Sequence, residues 1–281
     1  MKVLWANIED VMREAAARWT LVAYFLLSTM FIIIFAFAVN LDIVDGALAG
    51  AKLFGKEVNM DGGMSIEKIV VGFEGGFSGF LYFICTFLAI FATAHLVPRM
   101  QERGTIDLYL SRPVGRVRLL LSRYIAGLIL AGSNIVYLMG SMWLIVLWKT
   151  EVAHPRFLMG GVIIFFVVAV LLAFAFLVGV VTSSTAVSIM TSYALFFFGF
   201  MLAAHDQYAA MVSKDWQAWL IDTMYWVVPK STELFMGVMT FVLEREPGGP
   251  IQVTPYSYLS TAAFGIISLA LASWLFTRKE F

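Results

Sequence analysis

Apolar positions in this chain come in long blocks instead of alternating with polar ones. Six uninterrupted apolar segments, at about 20–39, 77–97, 124–147, 157–181, 186–204 and 258–276, each reach the roughly twenty residues that a helix needs to cross the hydrocarbon core of a bilayer. The pattern predicts an all-α integral membrane protein with six transmembrane helices. Ahead of the first block, Leu4, Ile8, Val11, Met12, Ala15 and Trp19 recur at helical spacing, while Lys2, Asn7, Asp10, Arg13, Glu14 and Arg18 lie mostly elsewhere around the wheel. That spacing predicts an interfacial helix over 1–19 leading straight into the first span.

One further stretch, 220–243, is apolar but broken by Asp222, Pro229, Lys230 and Glu233. A full span there would bury three charges in lipid, which costs several kcal/mol (about 2.5–3.5 for each on the lenient insertion scales). The expectation is two short helices within an outer-side loop, 205–256, that dip into the interface and return, hinged at Pro229 and shielded from lipid by the other spans. Residues 40–68 form a Gly-containing, mixed-charge segment for which one or two short helices at most are expected. PGGPIQVTP, at 247–255, is a turn-rich connector to the last span. No internal repeat is evident.

Composition narrows the class. With 61% hydrophobic and 14% charged residues, the apolar groups must face lipid as well as one another. The length suits a single transmembrane domain over 1–281 and leaves no room for a soluble catalytic domain of ordinary size. Cys85 is the single cysteine, which excludes an intrachain disulfide and a cysteine-based metal site. Glu9, Asp10 and Glu14 before the first apolar block argue against a cleaved signal peptide.

The zero net charge hides an asymmetry between the two faces. With the N-terminus inside, the cytoplasmic face holds Lys2, Arg13, Arg18, Arg99, Arg103, Arg112, Arg116, Arg118, Arg123, Arg278 and Lys279. The other holds Lys52, Lys56, Lys68, Lys149, Arg156, Lys214, Lys230 and Arg245, spread over longer, acid-rich loops. Basic density therefore places the 98–123 loop and both termini in the cytoplasm, in a cell membrane.

That loop carries six arginines and a short cappable helix. Thr105 can cap its first turn, Asp107 suits the positive end of the helix dipole, Arg112 sits near the other end, and Pro113 with Gly115 stops it. The product is a stiff element about two turns long at the membrane surface, of a kind that another protein can push.

Other chemistry is sparse. No GxxxxGK[ST] loop is present, so energy from ATP must arrive through a partner. His95, His154 and His205 are far apart, without HExxH or Cys/His spacing, and no metal site is expected. The serines include no GxSxG elbow. The methionines fall mainly on spans, and Trp143, Trp148, Trp219, Trp226 and Trp274 have the positions of interface anchors. In VVGFEGGFSGF, Gly72 with Gly76 and Gly75 with Gly79 have the spacing that lets helices approach closely. Glu74 beside them has two readings: a polar group at an exit path or dimer seam, together with Gly75 and Gly79, or an acid just outside the hydrocarbon boundary next to a tight helix start.

ERGTIDLYLSRPVGRVRLLLSRYIAG, with six spans around it, resembles the permease subunits of ABC-2 type transporters. The resemblance runs through Glu102, Arg103, Gly104, Thr105, the apolar stretch 106–110, Ser111, Arg112, Pro113, Val114 and Arg116. It extends to the interfacial first helix, to YWVVPKSTELFMG at 225–237, and to Phe-x-Arg-Lys-Glu at 276–280. It implies a separately encoded cytoplasmic ATPase subunit in two copies, binding ATP and Mg, whose groove receives helix 105–111. It also implies a second permease chain, identical or related, with the transport path between the two.

Glu102 and Arg112 are then expected as polar contacts of the joint, and Ile106, Leu108 and Leu110 as its apolar contact. Gly104, Thr105, Pro113 and Arg116 complete the coupling motif. The positive-inside signal and lipid headgroups account for Arg99, Arg118 and Arg123. Two other classes compete with this one: an ATPase-driven membrane scaffold of an envelope complex that moves no solute, and an intramembrane enzyme. Cofactors in this chain and a nucleic-acid partner are not expected, and accessory partners, a periplasmic protein among them, stay open. The substrate stays open among lipid, drug, antibiotic, peptide and polysaccharide.

Overall fold

The computed structural model describes residues 9, 19–44, 47–53, 56–58, 66–102, 104, 115–212, 215–244 and 253–279. The interfacial helix expected over 1–19 lies almost wholly outside them. The first long helix is α1, Trp19–Ala38, whose 20 residues reach about 30 Å at 1.5 Å per residue. Its C-terminal end is held by α4, Arg116–Thr150: Lys149 Nζ donates to Ala36 O at 2.8 Å. Midway, Ser28 Oγ donates to Asn134 Oδ1 at 2.9 Å.

A three-stranded antiparallel sheet follows α1, in the order β1 (Val39–Val44), β2 (Ala47–Leu53), β3 (Lys56–Val58). Val39 pairs with Leu53 and Val44 with Ala47. This corrects the expectation of short helices in 40–68. The reason is legible in the sequence: Val39, Leu41 and Ile43 alternate with Asn40 and Asp42, the period of a strand, and Asp45-Gly46 between the strands is a strong hairpin signal. The body of the protein is helical throughout its long apolar segments.

Helix α2, Ile66–Thr93, is followed after a two-residue break by α3, Leu96–Met100. The break falls four residues before Pro98, which cannot donate to the Ala94 carbonyl and whose ring crowds it. Helix α5, Pro155–Thr182, is the central element and packs against α2, α4, α6 (Thr185–Met201), α9 (Ser231–Val242) and α10 (Pro255–Arg278). Five stretches are long and apolar enough to cross a membrane, namely Glu67–Met100, Arg116–Thr150, Pro155–Thr182, Thr185–Tyr208 and Pro255–Arg278. Leu21–Phe37 and Ser231–Val242 are shorter apolar helices.

After α6 the chain passes through a 3-10 turn, Leu202–Ala204, to α7 (His205–Met211) and α8 (Asp215–Val227). Helices α8 and α9 meet at Pro229, as the broken apolar pattern of 220–243 predicts. They differ in environment: α8 has no buried residue, whereas α9 buries Ser231, Thr232, Glu233, Leu234, Gly237, Val238 and Val242 among its neighbours.

Candidate functional site

The two ends of the 98–123 loop converge on the last turn of α10 and the last turn of α5. Where α5 stops, Ser183 adopts a left-handed conformation, φ 52°, and its N–H closes onto Gly179 O at 2.9 Å. The final carbonyls of a helix lack partners within it and carry the negative end of its dipole. Here a lysine and an amide satisfy them. Gln101 Nε2 donates to Gly179 O at 2.9 Å, and Lys279 Nζ donates to Val180 O at 2.7 Å. The same ammonium donates to Gln101 Oε1 at 2.6 Å and to Ser183 Oγ at 2.8 Å. Ser183 Oγ in turn donates to Gln101 Oε1 at 3.0 Å. Partial burial pushes the Lys279 amine below its ordinary value, and its three donors meet three acceptors.

The far end of the loop is fixed to the same segment. Arg116 Nη1 donates to Thr277 O at 3.1 Å and to Lys279 O at 2.7 Å, covering the terminal carbonyls of α10. Arg123, two turns into α4, is buried, with Nη1 donating to Leu96 O at 2.9 Å in the first residue of α3. Its assignment to topology and headgroup binding is therefore corrected: it is an internal tie between the helices that flank the loop. Arg118 is exposed, which is compatible with a headgroup contact.

Of the expected coupling residues, Glu102 is exposed and Arg116 half-buried. Gly104 has φ +84°, a backbone conformation for which glycine is the ordinary choice. Thr105, Ile106, Leu108, Leu110, Arg112 and Pro113 lie outside the described residues, and the expected helix with them. Gln101 is not singled out in the sequence, and Lys279 stands out there only as a basic residue of the Phe-x-Arg-Lys-Glu pattern at 276–280, with nothing local that joins it to the loop.

At the opposite end of the bundle Glu74 is buried and its Oε2 lies 2.6 Å from His154 Nδ1. Glu244 extends the group, 3.5 Å from His154 Nε2 and 3.2 Å from Arg156. The glycine face beside Glu74, offered above as an exit path or dimer seam, is occupied by α9 of the same chain and the residue after it. A Cβ on Gly75 would sit 2.1 Å from Leu243 Cδ2, and one on Gly79 would sit 3.2 Å from Met239 Sδ and Phe235 Cε2.

A third polar group surrounds the α8–α9 break. The Glu233 carboxylate accepts from the hydroxyls of Tyr225 and Ser257, and Lys230 Nζ donates to Tyr225 O. The ammonium also stands 3.1 Å from the centre of the Tyr225 ring, against which His205 stacks at 3.6 Å. Lys230 and Glu233 are thus charges buried in protein, not lipid, as the shielding argument requires. Burial lowers the Lys230 amine to about 8, with Glu233 acting in the opposite sense, and desolvation followed by Glu233 raises the Tyr225 phenol well above its ordinary value. No group of three His, Cys, Asp or Glu suited to a metal ion occurs among the described residues.

Long apolar helices packed round a central one define a multi-pass membrane protein. The sequence pattern of the ABC-2 family transporter proteins matches residues 1–281, and the chain belongs to that family. It is accordingly a permease component of an ABC system, a transporter membrane subunit and not a catalytic enzyme. No curated protein matches the chain.

Proposed function

We propose that the chain is the permease subunit of an ABC-2 type exporter, in which a separate cytoplasmic ATPase subunit, binding ATP and Mg, drives outward movement of a substrate. The working unit contains two permease chains and two ATPase subunits in the cell membrane, each permease with six spans and both ends in the cytoplasm. Helix 105–111 enters the ATPase. Ile106, Leu108 and Leu110 make the apolar contact, Glu102 and Arg112 the polar one, and Gly104, Thr105, Pro113 and Arg116 shape the loop.

The observation that supports this reading is the anchoring of both loop ends at one place, Gln101 through Lys279 and Arg116 through the carbonyls of Thr277 and Lys279. A loop tied only to its own two helices would flex when pushed, whereas a loop fixed at both ends to the bundle passes displacement on. The test begins with purification of the tagged chain in mild detergent, from which a nucleotide-binding subunit is expected to co-purify. Thr105→Pro and Arg112→Glu should then leave the chain inserted but abolish its stimulation of ATP hydrolysis. Purification without any nucleotide-binding subunit, or full stimulation by both variants, would overturn the proposal.

A further inference from the structure

The 98–123 loop is covalently continuous with α3 and α4 alone. Helices α5 and α10 end at Thr182 and Arg278 and have no chain connection to it, yet they form the most extensively packed pair in the bundle. Whatever moves one moves the other. Among the described residues, polar links from them to the first residues of the loop run through Gln101 and Lys279, and links from the last residues run through Arg116.

We propose that Lys279 is a positioning residue that passes displacement of the 98–123 loop to α5 and α10, so that the loop drives four helices and not two. The inference rests on the coupling function proposed above. A single ammonium spends its three donors on three acceptors in two elements: the loop at Gln101 Oε1, and the end of α5 at Val180 O and at its capping residue through Ser183 Oγ, all within 2.6–2.8 Å. The lysine itself continues α10, since its N–H donates to Leu275 O at 3.0 Å. Placed at the negative end of the α5 dipole, the cation is favoured where it stands. Gln101 is half-buried and Ser183 exposed, so the joint can be broken and remade with water as intermediary during each cycle, which an apolar contact of equal strength does less readily. A methionine keeps the stem of the side chain and removes all three donors, whereas an arginine keeps the charge and several of them.

Hydrogen exchange of the purified permease–ATPase complex, with and without ATP and vanadate, separates this role from mere stabilisation. In the natural protein, trapping is expected to change exchange in the loop and in the last two turns of α5 and α10. In Lys279→Met the loop should still respond, while the response of α5 and α10 should fall at least twofold. Gln101→Leu should reproduce that pattern from the other side of the joint and carries the test if Lys279→Met does not fold, and Lys279→Arg should restore the response. A lower melting temperature with an unchanged exchange response would make the lysine a staple and sink the inference. A loop that ignores ATP and vanadate in the natural complex would instead remove the coupling function on which it rests.

Discussion

Lys279 and Gln101 lie 178 residues apart in sequence and meet at 2.6 Å, the ammonium of one donating to the side-chain oxygen of the other. Each has further partners, Gln101 at Gly179 and Lys279 at Val180 and Ser183, so the two act within one network. Lys279→Met and Gln101→Leu should each destabilise the folded protein by about 1.5–3 kcal/mol, the range of hydrogen bonds that include a charged group. Because they share partners, the double variant should depart from additivity by at least ~0.5 kcal/mol. Unfolding in detergent micelles measures the cycle, and simple additivity would show that the two side chains do not act together.

Close approach of Leu243 to Gly75 is the second relationship open to test. A Cβ at Gly75 falls 2.1 Å from Leu243 Cδ2, so the leucine must move before an alanine fits. Gly75→Ala should therefore cost about 1–3 kcal/mol, as overpacking does. Leu243→Ala in the same chain should recover most of it, because the truncated side chain vacates the space. A Gly75→Ala variant of full stability, or one that Leu243→Ala fails to rescue, would show that this contact does not set the helix spacing.

The Lys230 amine, lowered by burial from 10.5 to about 8, gives a pH dependence of definite sign. Between those two values the unfolded chain binds the proton that the folded chain has released, so stability rises with pH across the window. At pH 7 both states are charged and the folded state bears the full desolvation cost; above pH 10.5 that cost is gone. The stability of the natural protein minus that of Lys230→Met should therefore increase from pH 7 to pH 10.5. Melting of both proteins along a pH series measures it, and a flat or falling difference contradicts the assignment.

Much of this was legible in the sequence, for physical reasons that differ from place to place. A span must be apolar over its whole length, so the limits of helices such as Pro155–Thr182 follow from the blocks alone. Pro229 ends α8 by chain geometry that needs no tertiary context. The hairpin Val39–Leu53 was also written in the alternation of its first strand, but the glycines and mixed charges around it obscured the pattern. Burial of Arg123 was not legible: it depends on α3 presenting the Leu96 carbonyl to α4. Likewise Glu74 and His154 are 80 residues apart, and nothing local to either one names the other. Pairings made by packing are read only once the helices are in place.

Sidedness of the 98–123 loop tests the account most directly. Glu102 is exposed and Cys85 is fully buried, so Glu102→Cys in a Cys85→Ala background gives one reactive thiol next to the joint. A membrane-impermeant maleimide is expected to label it in inverted vesicles and to leave intact cells unlabelled. Labelling from the outside of intact cells would place the loop on the face away from any ATPase and contradict the account.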